Sequence, residues 1–239
     1  MTTAAFDYDG TLTNGGSVWP FLTALRGRGP VARATPPLVG KLALAALFGG
    51  HHADEAKEDL FRRTLGGLGT DELAAAATAF GLAHYRRHAR ADVRRRLEWH
   101  RDRGHRLLIV SASLECYLAP VAEELGVDAV VATRLAVGAD GRLTGGYDGA
   151  NCRGPEKIAR VRHWMEQNPP TAASGGTDVL WAYGNSAGDR QLLAGADVGV
   201  DVGRLGRLGA LRRFRRLSEL PDDADNGSPG PAEEVVRPR

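Results

Sequence analysis

Short apolar runs alternate with amphipathic stretches along most of the chain. Arg106-Leu-Leu-Ile-Val110 is continuously apolar and ends in Ser111-Ala-Ser113, the pattern of a strand buried on both faces. A helix is predicted next, with Leu114, Leu118, Val121, Ala122 and Leu125 on one face and Gly126 closing it. Asp128-Ala-Val-Val-Ala132 reads as another strand, and Arg134 to Asp148 as a hairpin turning at Asp140-Gly141. Glu156 to Gln167 has helical spacing, with Ile158, Val161 and Met165 inward. Val179-Leu-Trp-Ala-Tyr183 and Asp197-Val-Gly-Val-Asp201 complete the strands. This order predicts an α/β fold: a doubly wound parallel sheet with helices on both faces.

One stretch breaks the alternation. A strand is expected just before Asp7, yet the next convincing strand starts near Arg106. Between them Ala53 to Leu65, Asp71 to His88 and Asp92 to Arg101 have helical periodicity. That is too much for a crossover connection. The expectation is a core formed by residues 1–14 and 102–217, with a small helical cap, residues 15–101, inserted after the first strand. Ser218 to Arg239 is rich in proline and acids and is expected to be a disordered tail.

Composition narrows the function classes. The chain has 239 residues, 43% hydrophobic and 25% charged, with a net charge of +2. That balance excludes fibrous and low-complexity classes, and it offers no overall basic field for nucleic acid. Cys116 and Cys152 give neither a disulfide framework nor a zinc pair, which fits a cytoplasmic setting. The apolar stretch Leu38 to Phe48 is too short to span a bilayer, which takes about 20 residues. With the arginine-rich Arg204 to Arg216, it leaves peripheral contact with anionic membranes open. Oligomeric state is not legible.

Ligands of open α/β sheets bind beyond the carboxyl ends of the strands, and four polar groups fall there. Asp7-Tyr-Asp9 places two carboxylates before a Gly-Thr turn, a nucleophile and an acid–base pair. Ser111 offers a hydroxyl and nearby backbone N–H groups to a phosphate oxygen. Lys157 sits in the first turn of a helix. Gly184-Asn-Ser-Ala-Gly-Asp189 supplies oxygens for a hard cation.

Taken together these groups resemble the haloacid dehalogenase (HAD) superfamily of phosphohydrolases. Phe6 to Thr13 resembles its first motif, Val110-Ser111 its second, Lys157 its third and Gly184 to Asp189 its fourth. Ser111 to Glu115, Asp140 to Gly145 and Asn151 to Lys157 resemble the phosphoserine-phosphatase-like branch, which carries a helical cap. The resemblance implies a Rossmann-like core and a Mg²⁺-dependent phosphomonoesterase acting on a small phosphorylated metabolite. Asp7 would form an aspartyl-phosphate and Asp9 would serve as acid and base. Ser111, Ala112 and Lys157 would hold the phosphoryl group. Asp7, Asp9, Asn185 and Asp189 would hold the metal.

Two positions depart from that pattern. Asn185 stands where the family has a metal-binding Asp, and Gly16 where phosphoserine phosphatases have a substrate-gripping Glu. Asn14, Ser17, Trp19, Arg62 and Arg63 are the candidate substrate contacts. Alternatives are an inactive phospholigand-binding module, or a phosphatase of a phospholipid headgroup monoester. Gly184 to Gly188 also fits a serine-hydrolase elbow, but no histidine follows it to complete a triad. His51-His52 lacks a third metal ligand.

Overall fold

The computed structural model describes residues 1–35, 51–170, 178–204 and 209–220. The apolar stretch Leu38 to Phe48, residues 205–208 of the arginine-rich segment and residues 221–239 of the expected tail lie outside them.

The first strand, β1 (Thr2–Phe6), is buried almost throughout and occupies the middle of the sheet. Among the described residues four helices follow, α1 (Val18–Arg26), α2 (Arg28–Ala34), α3 (His51–Leu65) and α4 (Thr70–His88). A fifth, α5 (Ala91–Asp102), leads into β2 (Arg106–Leu114). Then follow α6 (Glu115–Leu125), the hairpin β3 (Ala129–Val137) and β4 (Leu143–Asp148), and α7 (Pro155–Gln167). The strand β5 (Val179–Gly184), the short helix α8 (Arg190–Ala194), β6 (Val198–Asp201) and β7 (Arg215–Arg216) end the described fold.

The seven strands lie in the order β4-β3-β2-β1-β5-β6-β7, parallel except for the β3–β4 hairpin. The chain leaves β1 to pair it with β2 on one side and β5 on the other, so β1 marks the switch point of the sheet. Phe6 is level with Ile109 and Tyr183. This register sets Asp7, the Ser111 segment and Gly184 at the same edge. One apolar cluster on one face holds Phe6, Leu107, Ile109 and Tyr183. A second on the other face holds Ala5, Leu108, Val110 and Ala182 under Val161 and Leu192.

The strand β2 runs on to Leu114, past the expected end at Val110, through an irregularity between Ser111 and Leu114. Among the helices before it, α4 lies so close to α6 that a Cβ on Gly81 would meet the Tyr117 carbonyl oxygen at 2.1 Å. The helix α3 rests on the hairpin, where a Cβ on Gly145 would meet Arg62 Cα at 2.4 Å. The helix α5 behaves differently from the rest of residues 15–101. It buries Val93, Arg96, Leu97 and His100, and the His100 ring bonds Tyr183 Oη of β5 at 2.8 Å. It is a layer on the sheet, as its amphipathic spacing allows. At the other end, Ser218 lies in a 3-10 turn and Leu220 is buried. The expected tail is therefore built into the fold as far as Leu220.

Candidate active site

The loop after β1 is tightly wound. The Asp7 N–H donates to the Tyr183 carbonyl at 2.9 Å, and the N–H groups of Thr11 and Thr13 both donate to the Tyr8 carbonyl. Gly10 turns the chain at φ +82°, and a Cβ there would approach Asn185 Cγ to 2.9 Å, so glycine is required on both counts. Buried Arg90 donates to the carbonyls of Gly10 and Val202, each at 2.8 Å, fastening this loop to the one after β6.

Asp7, Lys157 and Asp189 form a buried triad. Lys157 Nζ lies 2.6 Å from Asp7 Oδ1 and 2.6 Å from Asp189 Oδ1. Burial favours the neutral lysine, but the two carboxylates outweigh it and hold Lys157 protonated, above its ordinary range. For Asp7, burial and then the charge of Asp189 outweigh Lys157, raising its carboxyl to about 7. Two acids share one base here, which leaves an uncompensated negative charge in a dry place.

A hard cation fits that deficit. The carboxamide end of Asn185 lies 3.0 Å from the Asp9 carbonyl oxygen, 3.3 Å from Asp7 Oδ2 and 3.2 Å from Thr11 Oγ1. Three oxygens surround it, so its nitrogen faces them and donates. The same surroundings suit Mg²⁺, with the carboxamide oxygen turned inward. Asp189 is differently engaged. Its Oδ1 accepts from Lys157, and its Oδ2 accepts from the N–H groups of Asn185 and Ser186 and from Ser186 Oγ. Oδ2 shapes the loop, and Oδ1 holds Lys157.

Asp9 faces the other way, into hydroxyls. Its Oδ2 accepts from Ser113 Oγ at 2.5 Å and from Ser17 Oγ at 3.0 Å. Tyr117 Oη stands 2.9 Å from Ser17 Oγ and donates to it. Oδ1 of Asp9 is buried and has no hydrogen-bond partner among the described residues. Ser17 is thus brought to the site.

The remaining expectations divide. Buried Ser111 lies in β2, and its Oγ accepts the Ser113 N–H at 3.1 Å. Asn14 lines a cavity of about 460 Å³ with Gly10, Asn185, Ser186 and Arg204. Arg62 pairs with Glu58 and Asp59 on the outer side of α3 over the hairpin. Arg63 is exposed and Trp19 is 47% exposed. No contact among the described residues brings these three to Asp7.

Sequence reasoning missed Lys57. From α3 its Nζ donates to the Ala112 carbonyl and, at 3.0 Å, to Asn151 Oδ1. Thr133 Oγ1 touches the same two oxygens at 2.9 and 2.8 Å. Burial pulls the Lys57 ammonium down to about 8, against the charges of Asp54 and Asp9. A compositional signal was present: Lys41, Lys57 and Lys157 are the chain's only lysines, against many arginines, and two of the three meet here.

The sequence comparisons show one family, and the structural ones a shared fold. The sequence profile of the haloacid dehalogenase-like hydrolases matches residues 4–194. The chain is similar to protein CicA of Caulobacter vibrioides, 35% identical over 196 residues, 81% of this chain and 82% of that one. In fold it is similar to a Bordetella pertussis Tohama I protein of unknown function, with TM-score 0.73 and 23% identity over 90% of this chain and 97% of that one. It is also similar in fold to a phospho-aspartyl intermediate analogue of phosphoserine phosphatase, with TM-score 0.55 and 18% identity, covering 84% and 85% of the two chains.

Proposed function

Since the chain belongs to the haloacid dehalogenase-like hydrolase family, we propose that it is a Mg²⁺-dependent phosphomonoesterase of a small phosphorylated metabolite. The observation that carries this reading is the Asp7 carboxylate at the switch point of the sheet. It is held by Lys157 at 2.6 Å and has a second carboxylate, Asp9, two residues on.

An oxygen of Asp7 attacks phosphorus, and the bond from phosphorus to the ester oxygen breaks. Asp9 gives its proton to the departing oxygen through the unpartnered Oδ1. The Asp9 carboxylate then takes a proton from the water that attacks the aspartyl-phosphate, releasing phosphate and restoring Asp7. Lys157, Ser111 and the backbone at Ala112 hold the phosphoryl oxygens where charge builds. Asp7, the Asp9 carbonyl and Asn185 would hold Mg²⁺, which when bound would neutralise charge for attack on a dianion. Helices α1–α4 act as the cap, with Ser17 and Lys57 reaching the core from it.

The test is phosphate release from a panel of phosphorylated metabolites, with and without Mg²⁺, using Asp7→Asn as the blank. Mg²⁺-dependent release that vanishes in Asp7→Asn is expected. Release that persists in that variant would overturn the assignment of the nucleophile. Silence across the panel together with no Mg²⁺ binding would favour a phospholigand-binding module.

A further inference from the structure

Three hydroxyls from distant parts of the chain converge on one oxygen of Asp9, two directly and one through a relay. Ser113 Oγ of β2 stands 2.5 Å from Asp9 Oδ2, and Ser17 Oγ, at the head of α1, stands 3.0 Å from it. Tyr117 Oη of α6 lies 2.9 Å from Ser17 Oγ. All three side chains are buried. A hydroxyl has one hydrogen to give, and a carboxylate is the stronger acceptor. Ser17 and Ser113 therefore give theirs to Asp9, and the 3.1 Å contact between the two serine oxygens carries none. The Tyr117 hydrogen goes to Ser17 Oγ. Burial and then the charge of Asp9 push the phenol above its ordinary range, which preserves that donor. Asp9 Oδ1 has no hydrogen-bond partner among the described residues.

This count of hydrogens decides where a proton on Asp9 stands. Oδ2 already accepts two, so a third there would meet them head on, and the acid's proton is left with Oδ1. Ser17 is poorly fixed by its own chain. Gly15 and Gly16 precede it, and nothing stands within 4 Å of where a Cβ on either would be. Tyr117 is better anchored. Its ring centroid lies 4.9 Å from that of Phe21 in α1 and 5.5 Å from that of Phe80 in α4. Its donation leaves the Ser17 hydroxyl one orientation, with the hydrogen on Asp9.

We propose that Tyr117 is a positioning residue for the acid–base group: through Ser17 it holds the Asp9 carboxyl turned so that Oδ1 carries the proton for the departing oxygen. This deepens the phosphomonoesterase reading and rests on it. No described contact brings Tyr117 to Asp7 or Lys157, so it acts on Asp9 alone. Without the phenol hydrogen, the Ser17 hydroxyl turns away for part of the time. The carboxyl then rotates about its Cβ–Cγ bond and presents its proton in two directions, only one of them useful. The loss falls on proton donation and spares attack by Asp7.

Tyr117→Phe removes the hydrogen and keeps both ring contacts. The probes are ethyl phosphate, whose alkoxide needs a proton to leave, and 4-nitrophenyl phosphate, whose phenolate does not. The readout is kcat/KM, which reports phosphoryl transfer to Asp7 and is blind to later hydrolysis of the aspartyl-phosphate. For ethyl phosphate it is expected to fall about tenfold or more, the cost of a misaimed proton donor. For 4-nitrophenyl phosphate it should change by about twofold at most. Ser17→Ala should show the same selective loss, and adding Tyr117→Phe to it should cost nothing further. Equal factors on the two esters, no loss on either, or losses that multiply in the double variant overturn the proposal. Urea melts of the two single variants and the double judge the relay without turnover. The double variant's midpoint should fall by less than the sum of the single shifts, and additive shifts overturn the relay. Silence of the wild type on both esters and across the metabolite panel, with non-additive melts, sinks the phosphatase reading instead.

Discussion

Lys157 Nζ lies 2.6 Å from Asp7 Oδ1, across 150 residues of chain. The contact joins the first strand's end to the first turn of α7, and Asp189 completes it from the loop after β5. Lys157→Met leaves two carboxylates buried together with no cation. Breaking a buried ion pair in this way costs about 3–5 kcal/mol. Urea melts without metal are expected to show a loss of that order, with phosphate release abolished. Adding Asp189→Asn to Lys157→Met is expected to return part of the stability, because one of the two stranded charges is removed. A double variant no more stable than the single one would show that the triad is not coupled.

Asn185 reports on the metal. A carboxylate in its place would face the Asp9 carbonyl and Asp7 Oδ2, now 3.0 and 3.3 Å from the carboxamide. Asn185→Asp should therefore lower the melting temperature without Mg²⁺ and raise it more than in the wild type when Mg²⁺ is added. The Mg²⁺ concentration needed for activity should also fall. An unchanged Mg²⁺ response in both measurements would remove Asn185 from the ligand set.

Ser113 donates to Asp9 Oδ2 at 2.5 Å, which leaves Oδ1 to address the ester. Ser113→Ala loosens that orientation. Turnover of alkyl phosphates should drop by about 10- to 100-fold, within the range of one general acid. Turnover of 4-nitrophenyl phosphate should change much less, because nitrophenolate departs without a proton. Equal losses on both ester types would mean that Ser113 only supports the loop.

His100 is expected to contribute to the acid sensitivity of the fold. Burial first, then Arg96, His105 and Arg103, push its imidazole from 6.5 down to about 2. Below pH 6.5 the unfolded chain binds a proton there that the folded chain refuses. Stability is therefore present above pH 6.5 and declines as pH falls, by up to about 1.4 kcal/mol per unit from this group. Denaturant melts of His100→Gln between pH 6 and 4 should show a shallower decline than the wild type. Identical slopes would assign the acid sensitivity to other groups.

Much of the fold was legible because its signals are local. Continuous apolar runs marked β2 and β5, helical spacing marked α3, α4 and α7, and Asp140-Gly141 marked the hairpin turn. The carboxylate pair, Ser111 and Lys157 stood out because each closes a strand or opens a helix. The fate of α5 was not legible, since an amphipathic helix looks the same whether it covers a sheet or stands above one. Only its contact with Tyr183 places it.

The sequence by itself determined which residues carry reactive groups and in what order the strands follow. Tertiary structure alone decided how those groups are used. Asp189 and Asn185 are four residues apart on one loop, and only the direction of each side chain sends one to Lys157 and the other to Asp7 and Asp9. Lys57 and Tyr117 reach the site from separate helices at positions with no local signature, and Ser17 meets Asp9 from the turn before α1. Their roles follow from sheet register and helix packing, which bring together groups far apart in the chain and exclude the water that would otherwise weaken their interactions.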